Sequence, residues 1–312
     1  PGKPERGGHR VGPVMWQEKD GSTAPQIALS VRAHDRVGRR RTDDAWLAET
    51  WADPRTRVLL LARGRFPVDG TSIAWRSPAE VPEGQRVFLG EQRGVSHFAM
   101  LLDEPLEESW ASLRSVGPAL STEDASLVVH AVALAEWHRA HRFCPRCGSA
   151  LTVAAAGHVL TCTGCGRQHF PRTDPAVIML VTDSEDRALL GRQPGWPEGR
   201  YSTLAGFVDP GESLEDAVRR EVAEEVSIEI GEVTYLGNQP WPFPASLMVG
   251  FFAEALTTEI RVDEEEISDA RWFTREQMRT EAEAGTLLLP GGISISRTLV
   301  ETWYGGELPG HW

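Results

Sequence analysis

Lysine is almost missing from this chain of 312 residues, occurring only at Lys3 and Lys19. That scarcity removes chemistries built on an amine, such as Schiff bases and the lysine of a phosphate-binding P-loop. No apolar run approaches the ~20 residues that a membrane span needs. The stretch PGKPERGGHR has no apolar signal-peptide segment either. A basic surplus is lacking too: the net charge of −13 argues against a general nucleic-acid binder. An anionic substrate would therefore need metal ions or local arginines to be held. These absences lead us to expect a soluble, cytoplasmic protein without a membrane partner. The length suggests about two domains, and a hydrophobic content of 41% suffices for ordinary cores.

The densest stretch is GFVDPGESLEDAVRREVAEEVSI, residues 206 to 228. Asp209-Pro210-Gly211 is a turn signal, and Ser213 can cap a helix with Asp216 three residues on. Leu214, Ala217, Val218, Val222 and Val226 recur at three- and four-residue spacing, which predicts one apolar, inward face. Glu221, Glu224 and Glu225 share another face at i, i+3 and i+4, where like charges repel. A divalent cation would turn that repulsion into attraction, and carboxylate oxygens are the ligands Mg²⁺ and Mn²⁺ prefer. A solvated acidic face is the plainer alternative. Against it stand the preceding glycine turn and Arg220, which can orient a neighbouring carboxylate.

All four cysteines fall in two C-x2-C knuckles, Cys144/Cys147 and Cys162/Cys165, fourteen residues apart. This is the spacing of a four-thiolate zinc ribbon, with Gly148 and Gly166 easing each knuckle. A disulfide pair and a redox dithiol are the alternatives, and a reducing compartment with paired knuckles favours the metal. Four thiolates fill a tetrahedral zinc, so this metal is expected to be structural, a brace between domains. Arg142, Arg146 and Arg167 are too few for a nucleic-acid face.

Elsewhere the pattern predicts a disordered arm over 1–22, rich in Gly, Pro and charge. It also predicts an N-terminal α/β domain over 23–120, with strands at 58–62, 86–90 and 97–102 and a turn at Asp69-Gly70. A connecting helix over 121–143, the ribbon over 144–170 and a catalytic domain over 171–312 follow. In the last, Ala176 to Thr182 and Ala188 to Gly191 read as strands, and the pattern alone says only α/β. Gln239-Pro-Trp-Pro-Phe-Pro-Ala-Ser246 alternates prolines with aromatics, so it is expected as a stiff extended loop displaying Trp241 and Phe243. Held so, the two rings could stack on flat bases; alternatively they fill a core gap.

The 206–228 stretch resembles the Nudix hydrolase box, G-x5-E-x7-R-E-U-x-E-E-x-G-U. Gly206, Glu212, Arg220, Glu221, Val222, Glu224, Glu225 and Ile228 match, and Ser227 stands where the box has glycine. The 239–246 segment is similar to the QPWPFPxS sequence of the NADH pyrophosphatase (NudC-type) branch, and the four-cysteine ribbon precedes both in that family's order. The resemblance covers residues 125 to 300 well and the N-terminal part loosely. It implies an α/β/α sandwich and a homodimer. The reaction implied is Mg²⁺- or Mn²⁺-dependent hydrolysis of the diphosphate of NADH or NAD⁺ to nicotinamide mononucleotide and AMP, and removal of NAD caps from RNA.

The resemblance assigns Glu221 and Glu225 as metal ligands, with Glu224 assisting or acting on the water. Glu212 is expected to hold Arg220 or a metal-bound water. The Ala205 carbonyl and Glu266 complete the metal set. Gln239, Pro240, Trp241, Pro242, Phe243, Pro244, Ala245 and Ser246 are expected at the substrate. So are Phe207 and Phe170 as stacking faces, Ser296 at a helix start and Arg114 as a phosphate contact. Two alternatives compete: a Nudix pyrophosphatase for ADP-ribose or nucleotide sugars, and a non-catalytic zinc-ribbon adaptor.

Overall fold

The computed structural model describes residues 25–106 and 109–310, so the arm expected over 1–22 lies outside the described residues. The first unit contains α1 (Asp44–Ala52), β1 (Arg57–Ala62), β2 (Arg65–Phe66), β3 (Gln85–Gln92), β4 (Val95–Leu102), β5 (Ala111–Ser112) and α2 (Thr122–Ala140). Its sheet runs in the order β3-β4-β1-β2-β5, with β1 and β4 parallel. The Asp69-Gly70 turn joins two short strands, Val68–Asp69 and Ser72–Ile73.

Strand β1 is apolar on both sides because it is covered on both faces. Val58, Leu60 and Ala62 pack towards Trp46, Leu47 and Trp51 of α1, and Leu59 and Leu61 towards Leu127, Val128 and Ala131 of α2. The Ser121 hydroxyl caps α2 by accepting from the Asp124 N–H at 3.1 Å. Ten residues of this helix are buried, against the N-terminal sheet. It is thus a layer of the first domain rather than the connector expected from the sequence.

The ribbon follows as β6 (Leu151–Ala154), β7 (Val159–Cys162) and β8 (Gln168–His169), all antiparallel. The last unit contains β9 (Asp174–Thr182), β10 (Ala188–Arg192), β11 (Leu204–Phe207), α3 (Leu214–Val226), β12 (Ile230–Trp241), β13 (Ser246–Ala255), β14 (Asp269–Phe273), α4 (Arg275–Glu283) and α5 (Ile295–Tyr304). Its mixed sheet has the order β12-β13-β9-β10-β14, with β11 paired to the first half of β9. Val177, Met179 and Val181 of β9 pack on α3, and Ile178 and Leu180 on α4 and α5. The unit is therefore an α/β/α sandwich.

The segment 239–246 departs from the expected loop. Gln239, Pro240 and Trp241 end β12, in register with Met248, Leu247 and Ser246, and residues 242–245 form the hairpin turn. β12 is an edge strand, where a proline that cannot donate to the ladder costs no sheet bond.

Candidate active site

Helix α3 begins as its residues dictate. Asp209 turns the chain by accepting the Glu212 N–H at 3.0 Å, and the Ser213 hydroxyl accepts the Asp216 N–H at 3.1 Å. Ala217, Val218, Val222 and Val226 are fully buried, which sets the rotation of the helix on the sheet. Glu221 and Glu225, four residues apart, are thereby carried onto the edge of that buried face, only 8% and 4% exposed. Glu266 joins them from a separate loop. The Asp263 N–H donates to the Glu225 carbonyl, and the Glu266 and Ile267 N–H groups donate back to the Asp263 carbonyl, so the loop turns at the end of α3. Oxygens of Glu221, Glu225 and Glu266 lie within 4.8 Å of one another.

Strand β11 makes room for this cluster. A β-carbon on Gly206 would sit 1.9 Å from Glu221 Cδ, so only glycine lets that carboxylate lie against the strand. Ala205, next to Gly206, pairs with Ile178 of β9, and its peptide thus adjoins the Glu221 carboxylate. Arg220 ties the periphery together. It donates to both oxygens of Glu212 at 2.8 and 2.9 Å, to Glu221 Oε1 and Glu224 Oε2 at 2.9 Å, and to the Phe207 carbonyl at 2.9 Å. The bidentate bond lowers the Glu212 pKa.

The two buried glutamates behave differently. Burial raises the Glu221 pKa despite its bond to Arg220. Burial also pushes Glu225 up to about 8, and the like charges of Glu221, Glu266 and Glu224 add to the shift. Glu225 Oε2 is buried with no donor. Such an oxygen calls for a proton or a cation, and an all-oxygen set around it fits a hard divalent ion. Glu224 is exposed, outside this trio, and held by Arg220.

Phe207 and the 239–246 hairpin meet at the first residues of β9. Ala176 pairs with Phe207 on one side and Met248 on the other, and Asp174 pairs with Ser246 and donates its N–H to the Ala245 carbonyl at 2.8 Å. Phe207 and Phe170 are 61% and 64% exposed, so each ring has a free face. Trp241 and Phe243 meet edge to face with centroids 5.1 Å apart. The Arg114 guanidinium lies 4.2 Å from the Phe243 centroid and 5.2 Å from that of Trp241, so the first domain braces the hairpin tip. Phe243 also packs on the core of that domain. Pro242 is buried and Pro244 exposed.

Two expected contacts are spent elsewhere. Gln239 is 0% exposed, donates from Nε2 to the carbonyls of Ala28 and Ile293 at 2.6 and 2.7 Å, and accepts the Ile295 N–H at 2.9 Å. Its side chain clamps three segments and has no free group to offer a substrate. Ser296 is 1% exposed, with its hydroxyl bonded to Ser202 and Thr203 at 2.9 and 2.8 Å. A motif identifies such positions, but only the fold shows where their hydrogen bonds go.

The cysteines converge without a disulfide. Cys144 and Cys165 sulfurs are 3.8 Å apart, Cys147 and Cys162 sulfurs 3.4 Å, and all four lie within 4.8 Å. A tetrahedral zinc with Zn–S of about 2.3 Å separates its sulfurs by roughly 3.8 Å, whereas a disulfide holds them at about 2.05 Å. Gly148 and Gly166, at φ 72° and 70°, close matching knuckles by donating to the carbonyls of Cys144 and Cys162. The ribbon is a structural zinc site.

Carboxylates gathered against a sandwich sheet, an aromatic hairpin and a zinc ribbon define a hydrolase of the Nudix class. Known families cover the chain in the same three parts. The NADH pyrophosphatase-like rudimentary NUDIX domain matches residues 43–137, the NADH pyrophosphatase zinc ribbon domain 139–170 and the NUDIX domain 172–288. The NAD-capped RNA hydrolases NudC of Mycobacterium bovis and Mycobacterium tuberculosis are 40% identical over 298 residues, spanning 88% of this chain and 94% of theirs. Human NAD-capped RNA hydrolase NUDT12 is 42% identical over 196 residues, 59% of this chain and 42% of the human protein. The chain belongs to the NADH pyrophosphatase (NudC-type) branch of the Nudix hydrolases.

Proposed function

We propose that this chain hydrolyses the diphosphate of NADH and NAD⁺ to nicotinamide mononucleotide and AMP, and removes NAD caps from RNA 5′ ends. Mg²⁺ or Mn²⁺ would be held by Glu221, Glu225 and Glu266, with the Ala205 carbonyl beside them. One observation carries the reading: two buried carboxylates and a third from another loop converge on a Glu225 oxygen that nothing else satisfies. The names of the NudC and NUDT12 relatives support the substrate class. A divalent ion bound there would supply charge neutralisation of the diphosphate and a more acidic water.

The remaining work falls to the chain itself. Gly206 and Arg220 hold Glu221 in place, and Arg220 keeps Glu212 ionised and Glu224 aimed along the same edge. One of Glu221, Glu224 and Glu225 takes the proton of the water. Phe207, Phe170 and the Trp241–Phe243 tip offer flat faces to the two ring systems of the dinucleotide. Among the described residues no helix is long and apolar enough to cross a membrane. Four cysteines free of disulfides suit a reducing compartment, so we place the enzyme in the cytoplasm; we also propose a homodimer, which light scattering tests.

The test is product analysis with NADH, NAD⁺, ADP-ribose, a nucleotide sugar and NAD-capped RNA, each with and without Mg²⁺ or Mn²⁺. Metal-dependent release of nicotinamide mononucleotide and AMP is expected, along with decapping. Faster cleavage of ADP-ribose or a nucleotide sugar would replace the substrate assignment. Absence of any turnover would favour a non-catalytic adaptor.

A further inference from the structure

Glu266 is the one acid of the carboxylate trio that α3 does not carry, and it is exposed on a loop. That loop grows out of the end of the helix. The Arg261 and Asp263 N–H groups donate to the Val226 and Glu225 carbonyls at 3.0 Å each, answering two of the last carbonyls that a helix leaves open. On the far side Ile267 is 2% exposed and packs in the same core as Val222 and Val226. Ser268 then fixes the chain to β10, its N–H and hydroxyl donating to the Arg192 carbonyl at 2.8 and 2.9 Å. Glu266 thus hangs between two anchored ends.

Between those ends, three consecutive N–H groups converge on Asp263. Its side-chain Oδ1 accepts from Glu265 at 3.0 Å, and its carbonyl accepts from Glu266 at 3.1 Å and Ile267 at 2.8 Å. Aspartate closes turns in this way, its short side chain bonding the backbone two residues on. Here the closure works against charge, because Asp263, Glu264, Glu265 and Glu266 are four acids in a row and repel one another. Asp263 is not itself a member of the trio: the oxygens that come within 4.8 Å of one another belong to Glu221, Glu225 and Glu266.

We propose that Asp263 is a positioning residue for the divalent-ion site: its carboxylate closes the 263–267 turn and so sets Glu266 against Glu221 and Glu225. This rests on the reading of those three glutamates as the ligands of Mg²⁺ or Mn²⁺. Because the Asp263 N–H hangs on the Glu225 carbonyl, the acid from the loop is registered directly on an acid of the helix. Asp263 is exposed, so replacing its side chain empties no core space.

The experiment measures Mn²⁺ binding to the zinc-loaded full chain without substrate, from the electron paramagnetic resonance signal of the free ion. Asp263→Ala should weaken the tightest Mn²⁺ binding about tenfold, the lower end of what losing a group behind a metal ligand costs. Asp263→Asn removes the same charge but keeps an oxygen for the Glu265 N–H, so its Mn²⁺ affinity should return close to that of the wild type. Glu266→Gln is the control for the metal assignment. If it binds Mn²⁺ as the wild type does, Glu266 is no ligand, and the metal assignment falls together with the positioning role. If it weakens binding while Asp263→Ala does not, the positioning role alone is overturned. Equal losses in Asp263→Ala and Asp263→Asn overturn it as well, since they assign the effect to charge at a distance.

Discussion

The carboxylate carbon of Glu221 occupies the space where a side chain on residue 206 would begin, 1.9 Å from an ideal β-carbon. Glycine at 206 is therefore part of the carboxylate cluster although it has no functional group. Gly206→Ala should push Glu221 away from Glu225 and Glu266. Displacing a reacting group by about 1 Å can cost about 100-fold. We expect at least that loss in kcat for NADH, with circular dichroism unchanged. Full activity would mean that Glu221 is not held where its chemistry needs it.

Glu225 carries the cluster's one fully buried oxygen without a donor among the described residues, so two opposite effects should follow from Glu225→Gln. Turnover should fall by more than the about 100-fold typical of removing a group behind a metal ligand. Stability without divalent ions should rise, because a buried acid has gone. The folded-state pKa of about 8 lies above the ordinary value of 4.5. Its stabilising contribution is hence complete below about 4.5 and is lost as pH rises through about 8. Urea unfolding of the Mg²⁺-free, zinc-loaded protein should show stability falling across that window. Mg²⁺ should reverse the fall, and Glu225→Gln should flatten it.

How much of this was legible in the sequence depends on how local each feature is. Glu221, Glu224 and Glu225 sit on one helix, so spacing alone put them on one face; which two are buried depended on how α3 rests on the sheet. The cysteine knuckles were legible for the same reason. Gln239 was not, since its partners at Ala28, Ile293 and Ile295 are far away in sequence. Helix α2 looked like a connector because its apolar face says only that something covers it, and the cover is a sheet formed by residues up to about 80 positions earlier. The contact of His130 with His34 and His158, at 3.3 Å each, was not legible either, since the three lie far apart in sequence.

Gln239 and Trp241 lie two residues apart and should fail in different ways. Gln239→Ala leaves two carbonyls and an N–H without their partner, a loss of about 3 kcal/mol at roughly 1 kcal/mol for each bond. The expected result is a lower urea midpoint with KM for NADH nearly unchanged. Trp241→Ala removes a stacking face, worth about 1–3 kcal/mol per base. KM should rise about tenfold or more. Equal effects on KM from both substitutions would assign Gln239 to the substrate after all.

Ser227 ends α3 at φ 59° and ψ 30°, the left-handed conformation, and its N–H still donates to the Ala223 carbonyl at 3.0 Å. The serine thus accepts the backbone that glycine adopts freely, and the last helical hydrogen bond is kept. A side chain there costs about 1–2 kcal/mol in the folded state. Glycine gives back about 0.4–1 kcal/mol through its looser unfolded chain. Ser227→Gly should therefore stabilise the protein by roughly 0.5–1 kcal/mol, with the dependence on urea concentration unchanged and turnover unaltered. A loss of stability would show that the Ser227 side chain holds the helix end by a contact that outweighs its strain.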